Sequence, residues 1–198
     1  MASFKMHLAL TIVFGICGYA IKYPPNWKAS RLRDFQEMLN TEEKIWLTMT
    51  TKDMRRLDCD YWTKILLNDT DYDFNHWYRK QPKGREWTKQ GPQKKSEHLH
   101  ATLRYCGRRP AMFIRHYEEK ESRAKAHKLL FWSEEEKCAV FEVVPEGDCE
   151  QRTWNSKIGQ NYECDKVFWA LCGAWTYPVF KKSCIDPKGI CVGLTSLC

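Results

Sequence analysis

Beyond its first twenty residues this chain has no hydrophobic run long enough to cross a bilayer, which takes about 20 consecutive apolar residues in a helix. That absence points away from a membrane protein. Internal repeats and low-complexity linkers are missing too, so nothing in the sequence divides it into separate units. Chemistry-bearing motifs are equally scarce. There is no Gly-rich phosphate loop in a suitable context, no paired-carboxylate motif and no cysteine in a nucleophile motif. The expectation is a non-enzyme that needs no cofactor. Histidine is sparse, six residues in all. His98-x-His100 puts two imidazoles on one strand face, a spacing that can chelate a metal, but no third ligand stands at a supporting spacing. Solvent-facing histidines and no metal site are therefore predicted.

What is present starts with a leader. Lys5 gives a positive start, Leu8 to Ile16 an apolar stretch about half a membrane span, and Gly18-Tyr19-Ala20 a small-x-small cleavage site. Residues 1–20 read as a secretory signal peptide, with the secreted chain starting near Ile21. About 178 residues then remain, enough for one domain with a real core. Losing Lys5 lowers the formal net charge from +7 to +6. For a secreted protein that modest excess favours acidic or anionic partners over nucleic acid.

Ten cysteines become nine when Cys17 leaves with the leader. An oxidising compartment turns such residues into disulfides, and the odd count leaves one over. The chain is expected to be a monomer, with a disulfide-linked dimer as the alternative. Asn68-Asp69-Thr70 is the one N-glycosylation sequon in the secreted chain, between two strand-like runs.

Periodicity sets the architecture. Leu32, Phe35, Met38 and Leu39 recur at helical spacing within 29–39, and Asn40-Thr41 closes that helix. The period then becomes two. Strands are predicted over 44–51, 59–67, 72–79, 97–106, 112–117, 128–132, 138–144 and 150–154, with 85–90 as an extension or edge piece. Eight strands in series, without intervening helices, predict an all-β antiparallel up-and-down barrel that could hold one small ligand. A last helix, 161–172, carries Cys164, Val167, Phe168, Leu171 and Cys172 on one stripe, and Gly173 ends it. Cys164 and Cys172 lie about 12 Å apart along that helix, too far to pair with each other.

A short helix, eight strands and an outer helix form the lipocalin plan, and the chain resembles the tick salivary lipocalins, the tick histamine-binding protein family. The resemblance rests on Phe35-Gln-Glu-Met-Leu-Asn-Thr41, Ile45-Trp46-Leu47, Cys59, Lys128-Leu-Leu-Phe-Trp132, Cys138-Ala-Val-Phe-Glu-Val143, Cys164 with Phe168, and Ser183-Cys184. It spans most of residues 29–184. It implies a lipocalin domain over 21–184 followed by a Cys-containing tail, 185–198. It also implies two disulfides, Cys59–Cys184 and Cys138–Cys164; Cys149–Cys172 is a further expected pair. Cys106, Cys191 and Cys198 fall outside the family pattern.

The resemblance also implies a secreted salivary protein that sequesters a host inflammatory or haemostatic mediator. The family's amine binders carry an Asp where this chain has Ala139, and a Glu two positions before a strand Trp. If Trp154 is that Trp, the Glu position holds Arg152; Glu150 is the alternative match. Another acidic position corresponds to Lys128. The first expectation is thus an anionic or amphipathic lipid, such as a leukotriene or fatty acid, with its headgroup on Arg152. Leu47, Met49, Leu103, Phe141 and Trp154 would line the barrel. A biogenic amine held by Glu150 is the alternative. A third reading is a loop-mediated inhibitor of a host complement or clotting protein. Its motive is the basic stretch 79–95, with seven Lys or Arg against one Glu.

Overall fold

The computed structural model describes residues 30–82, 91–173 and 175–185. The leader, residues 83–90 of the basic stretch and the tail 186–198 lie outside the described residues.

One short helix, α1 (Leu32–Leu39), precedes eight strands: β1 (Ile45–Thr50), β2 (Leu57–Leu67), β3 (Asp71–Lys80), β4 (Gln93–Cys106), β5 (Arg109–His116), β6 (Lys125–Ser133), β7 (Cys138–Val144) and β8 (Asp148–Trp154). Each is antiparallel to the next, and β1 pairs with both β8 and β2, closing the barrel. The eight-stranded up-and-down barrel and both flanking helices agree with the sequence expectation. Strand β4 runs from Gln93, four residues before its predicted start, because its first turns continue the β3 ladder as far as Lys80↔Gln93.

Closure is split between two partners. The lower half of β1 pairs with β2 through Ile45↔Trp62 and Trp46↔Tyr61. Higher up, the two-residue strand β9 (Tyr177–Pro178) takes the place of β2, pairing Met49↔Pro178 and Thr50↔Tyr177. The Val179 N–H donates to the Thr48 carbonyl (3.1 Å), and the Val179 carbonyl accepts from the Cys59 N–H (3.3 Å). The C-terminal segment is thus wedged into a splay between β1 and β2. The Cys59–Cys184 disulfide holds it there.

Helix α1 plugs one end of the barrel. Phe35, Met38 and Leu39 are fully buried against the barrel rings, and the Trp154 indole N–H donates to the Met38 carbonyl (3.0 Å). Helix α2 (Tyr162–Cys172) lies outside, over β6, β7 and β8. Its buried stripe of Cys164, Val167 and Phe168 packs on Cys138, Val140 and Cys149. The Glu136 carboxylate accepts the N–H groups of Glu163 and Cys164, satisfying donors that the first helical turn leaves unpaired. Cys138–Cys164 and Cys149–Cys172 bond this helix to the sheet, and Gly173, at φ 82°, ends it. The remaining described cysteine, Cys106, is unpaired and half-buried.

Candidate functional site

The inner face of the barrel is layered. Its lower and middle layers are rings and aliphatics: Tyr72, Phe74, Trp62, Phe141, Met112 and Leu129, none more than 2% exposed. Tyr72 stacks on Phe74 with centroids 4.7 Å apart, and Trp62 meets Phe74 at 5.2 Å. Side chains with no exposed surface face no water-sized void. The rings fill this half of the barrel themselves.

Above them lies a charged layer. Arg152 of β8 is buried at 3% exposure and donates from Nε and Nη2 to Glu150 Oε2 (3.1 and 2.9 Å) and from Nη1 to Asp60 Oδ1 (3.0 Å). Its guanidinium carbon stands 3.5 Å from the Trp62 ring centroid, a cation–π contact. Asp60 Oδ2 in turn bonds His76 Nε2 at 2.6 Å. A bulge in β2 between Asp58 and Tyr61, with Cys59 at φ 53°, precedes the inward pair Asp60 and Trp62 and leaves Cys59 and Tyr61 outside.

Each charge answers to its surroundings. Burial would raise the Asp60 carboxyl, but His76 and Arg152 outweigh it and hold the group below the usual carboxylate value. Burial would lower His76, yet Asp60 prevails and its imidazole titrates above the ordinary histidine value. His127, which faces Glu150 at 3.9 Å, is the reverse: burial dominates and pushes it below that value. Tyr78 is pushed up to about 12 by donating to Glu97 Oε1 at 2.7 Å.

The two histidines therefore act on stability in opposite directions. His76, raised in the folded state, contributes fully below its unfolded value of 6.5, and that contribution is lost as pH rises through its folded value. His127, depressed, costs nothing above 6.5 and withdraws stability as pH falls below it. The expected result is that H76N is destabilised more at pH 6 than at pH 9, read from urea midpoints of the two proteins at each pH. Equal losses at both would remove the His76–Asp60 charge pair from this account.

A cavity of about 420 Å³ opens on this layer from the end opposite α1, within the size range of small-molecule sites. It is lined chiefly by Glu97, Leu99, Ile114, His116, Lys125 and His127. Arg115 donates there to the carbonyls of His116, Tyr117 and Glu119, Arg123 approaches Glu119 at 3.9 Å, and Lys125 pairs with Glu146. Deeper in, the Tyr72 hydroxyl, the Trp132 indole N–H and His127 Nδ1 are buried without a hydrogen-bond partner among the described residues.

Of the residues that the sequence nominated, Leu47, Leu103, Phe141, Glu150, Arg152 and Trp154 face the interior, with both Glu150 and Arg152 in one ion-paired group. Met49 does not. A bulge between Leu47 and Met49 reverses the alternation, so Met49 packs in the cluster beneath α2. Lys128 also faces outward, 3.3 Å from Glu142, and puts no charge in the barrel. Trp62 and Trp154 are interior, whereas Trp46 and Trp77 join Tyr61 and Phe180 on the outer wall. Asp60, His76, Glu97 and His127 escaped the sequence reading. Alternation with Trp62 marked Asp60, but nothing local marked the others as neighbours.

Elsewhere, Asn68 sits in an exposed turn and its Oδ1 accepts the N–H groups of Thr70 and Asp71 (2.8 and 2.7 Å). In the basic stretch, Arg79 is engaged by Asp58 (2.7 Å) and Lys94 lies over the Trp77 ring. His98 stacks on Tyr117, and His100 bonds Asp73 at 2.7 Å. Glu136 lies beside the sulfurs of Cys138 and Cys164, but these are joined to each other and offer no thiolate to a metal.

No protein-family model matches this chain, and no curated protein matches it. Solved structures do. AM182 in its serotonin complex superposes with a TM-score of 0.53 at 18% identity, over 75% of this chain and 90% of that one. Japanin from Rhipicephalus appendiculatus, bound to cholesterol, gives 0.55 at 9% identity, over 74% of this chain and 97% of that one. At such identities the likeness is one of fold: a lipocalin barrel.

Proposed function

We propose that this protein is a secreted, non-enzymatic lipocalin that sequesters a compact amphipathic amine, bound at the open half of its barrel. The charge balance of the inner layer carries the reading. Arg152 is shared by Asp60 and Glu150, and Glu97, on the cavity wall, has the His76 and His116 imidazoles and the Tyr78 hydroxyl beside it, which puts a carboxylate charge at the cavity. In a water-poor interior such a charge favours a cationic ligand. Arg152, by contrast, already serves two carboxylates. The rings below it leave no room for a long tail in this conformation. Serotonin, the ligand of AM182, has the chemistry that this arrangement suits. An N-glycan on the exposed Asn68 turn belongs to the same reading of a secreted protein.

The anionic-lipid reading draws on Arg115, Arg123 and Lys125 at the cavity. A headgroup on Arg152 would have to displace Asp60 or Glu150, one on the cavity cations would not, and in either case the tail has to displace packed rings. Titration calorimetry with serotonin, histamine, a fatty acid and a leukotriene separates the two. Amine binding at one site per chain is expected, and E150Q weakens it at least about tenfold, the scale of one charge-assisted hydrogen bond. Binding of the lipids alone would overturn the amine assignment. Binding of neither would move the search to the outer surface and the basic stretch.

A further inference from the structure

The outer wall carries a charged feature that ligand capture in the barrel leaves unused. Trp46, Tyr61 and Trp77 stand opposite one another on β1, β2 and β3, all on the outer face, and Phe180 extends the row. Ring centroids follow at 5.2 Å from Phe180 to Trp46, 4.6 Å from there to Tyr61 and 6.2 Å on to Trp77. Two lysines lie on this row. Lys44 Nζ is 5.4 Å from the Trp46 centroid and 4.9 Å from that of Tyr61, and Lys94 Nζ is 5.6 Å from Tyr61 and 4.3 Å from Trp77. Both residues are exposed, and neither pairs with a described carboxylate. A ring face holds an ammonium without neutralising it. Opposite Lys94 in the ladder, Arg79 shares the buried Asp58 carboxylate with Lys181, so that trio keeps a net positive charge too.

We propose that this row is a docking surface for a sulfated glycosaminoglycan chain, held by Lys44, Lys94, Arg79 and Lys181. The surface lies outside the barrel and does not depend on which small molecule the barrel takes. Like charges held in fixed positions, with their one counter-carboxylate buried beneath them, suit a linear polyanion. The rings select among polyanions. Trp46 and Tyr61 are only 1% and 6% exposed, beneath the lysines. A bilayer surface is gripped by apolar side chains that insert into it, and a single nucleic-acid strand by bases stacked on open rings. Covered rings serve neither. Exposed ammonium and guanidinium groups offer ionic contacts, which the sulfates of a soluble chain meet. Three disulfides suit an oxidising extracellular setting, where sulfated glycans are the abundant polyanions.

The test uses the full secreted chain on a surface of immobilised heparin, with no small-molecule ligand added. Binding is expected, and it should weaken steeply as salt is raised. K44Q/K94Q should lower the affinity about tenfold, the combined effect of two exposed ionic contacts. K44R/K94R keeps both charges and should bind as the parent does. K120Q/K166Q removes the same net charge from two exposed lysines elsewhere and should also bind as the parent does. All four positions are exposed, so folding is not at stake. Absence of heparin binding, equal losses in K44Q/K94Q and K120Q/K166Q, or equal affinity for desulfated heparin would each overturn the docking surface. Tighter binding to phosphatidylserine vesicles or to single-stranded DNA would overturn it as well, and assign the row to a bilayer or a nucleic acid.

Discussion

Replacing Arg152 with methionine is expected to destabilise the protein by about 3–5 kcal/mol, the cost of leaving buried charges without their partner. Asp60 is 3% exposed at its side chain and Glu150 17%. Removing the guanidinium leaves Glu150 without its partner and Asp60 with His76 alone, and takes the cation from the face of Trp62. Paired charges in such a layer contribute less than this figure suggests, because burying them was itself costly. The triple variant D60N/E150Q/R152M, with no formal charge left at these positions, should therefore recover much of the loss. Urea denaturation of parent, single and triple variants reads both effects. A single-variant loss below about 1 kcal/mol would mean that water reaches the group, as for an exposed pair. A triple variant no better than the single would show that geometry rather than charge carries the effect.

The second large effect is expected at the Cys59–Cys184 bridge. It spans 125 residues, and a loop of about that length corresponds to ~4–5 kcal/mol of lost unfolded-state entropy. Two other bridges lie inside the loop and shorten it, which brings the figure towards the lower end. Replacing both cysteines with alanine also frees the segment that fills the splay between β1 and β2. Hydrogen exchange should report this directly, with the amides of Cys59 and Val179 losing protection first, since their partners cross that seam. The paired replacement of Cys149 and Cys172, closing only 23 residues, should cost about 3 kcal/mol and leave the seam intact. If the two pairs of replacements cost the same and protect the same amides, the wedge does not depend on its disulfide.

How far the chain explained itself can be seen residue by residue. A strand's side chains have a fixed period of two, so Glu150, Arg152 and Trp154 share one face; the barrel turns that face inward, together with Leu103 and Phe141. The same rule misplaced Met49, since one extra residue at a bulge inverts everything beyond it. Helical spacing placed Phe35, Met38 and Leu39 on one face, but not beneath the barrel with a carbonyl offered to Trp154. The His98-x-His100 spacing drew notice as a chelating pair. Folding turned these histidines to Tyr117 and Asp73 instead.

The sequence by itself determined the strand count, the order of elements and the apolar faces, all of which follow from local periodicity and propensity. Only the tertiary structure decided the chemistry of the interior. Asp60 and Arg152 are 92 residues apart in the chain, and their contact exists only because β1 closes the sheet between β2 and β8. The sequence left open whether Glu150 or Arg152 faces the pocket. In the closed barrel both do, and Arg152 is held by carboxylates that no local pattern could have assigned to it.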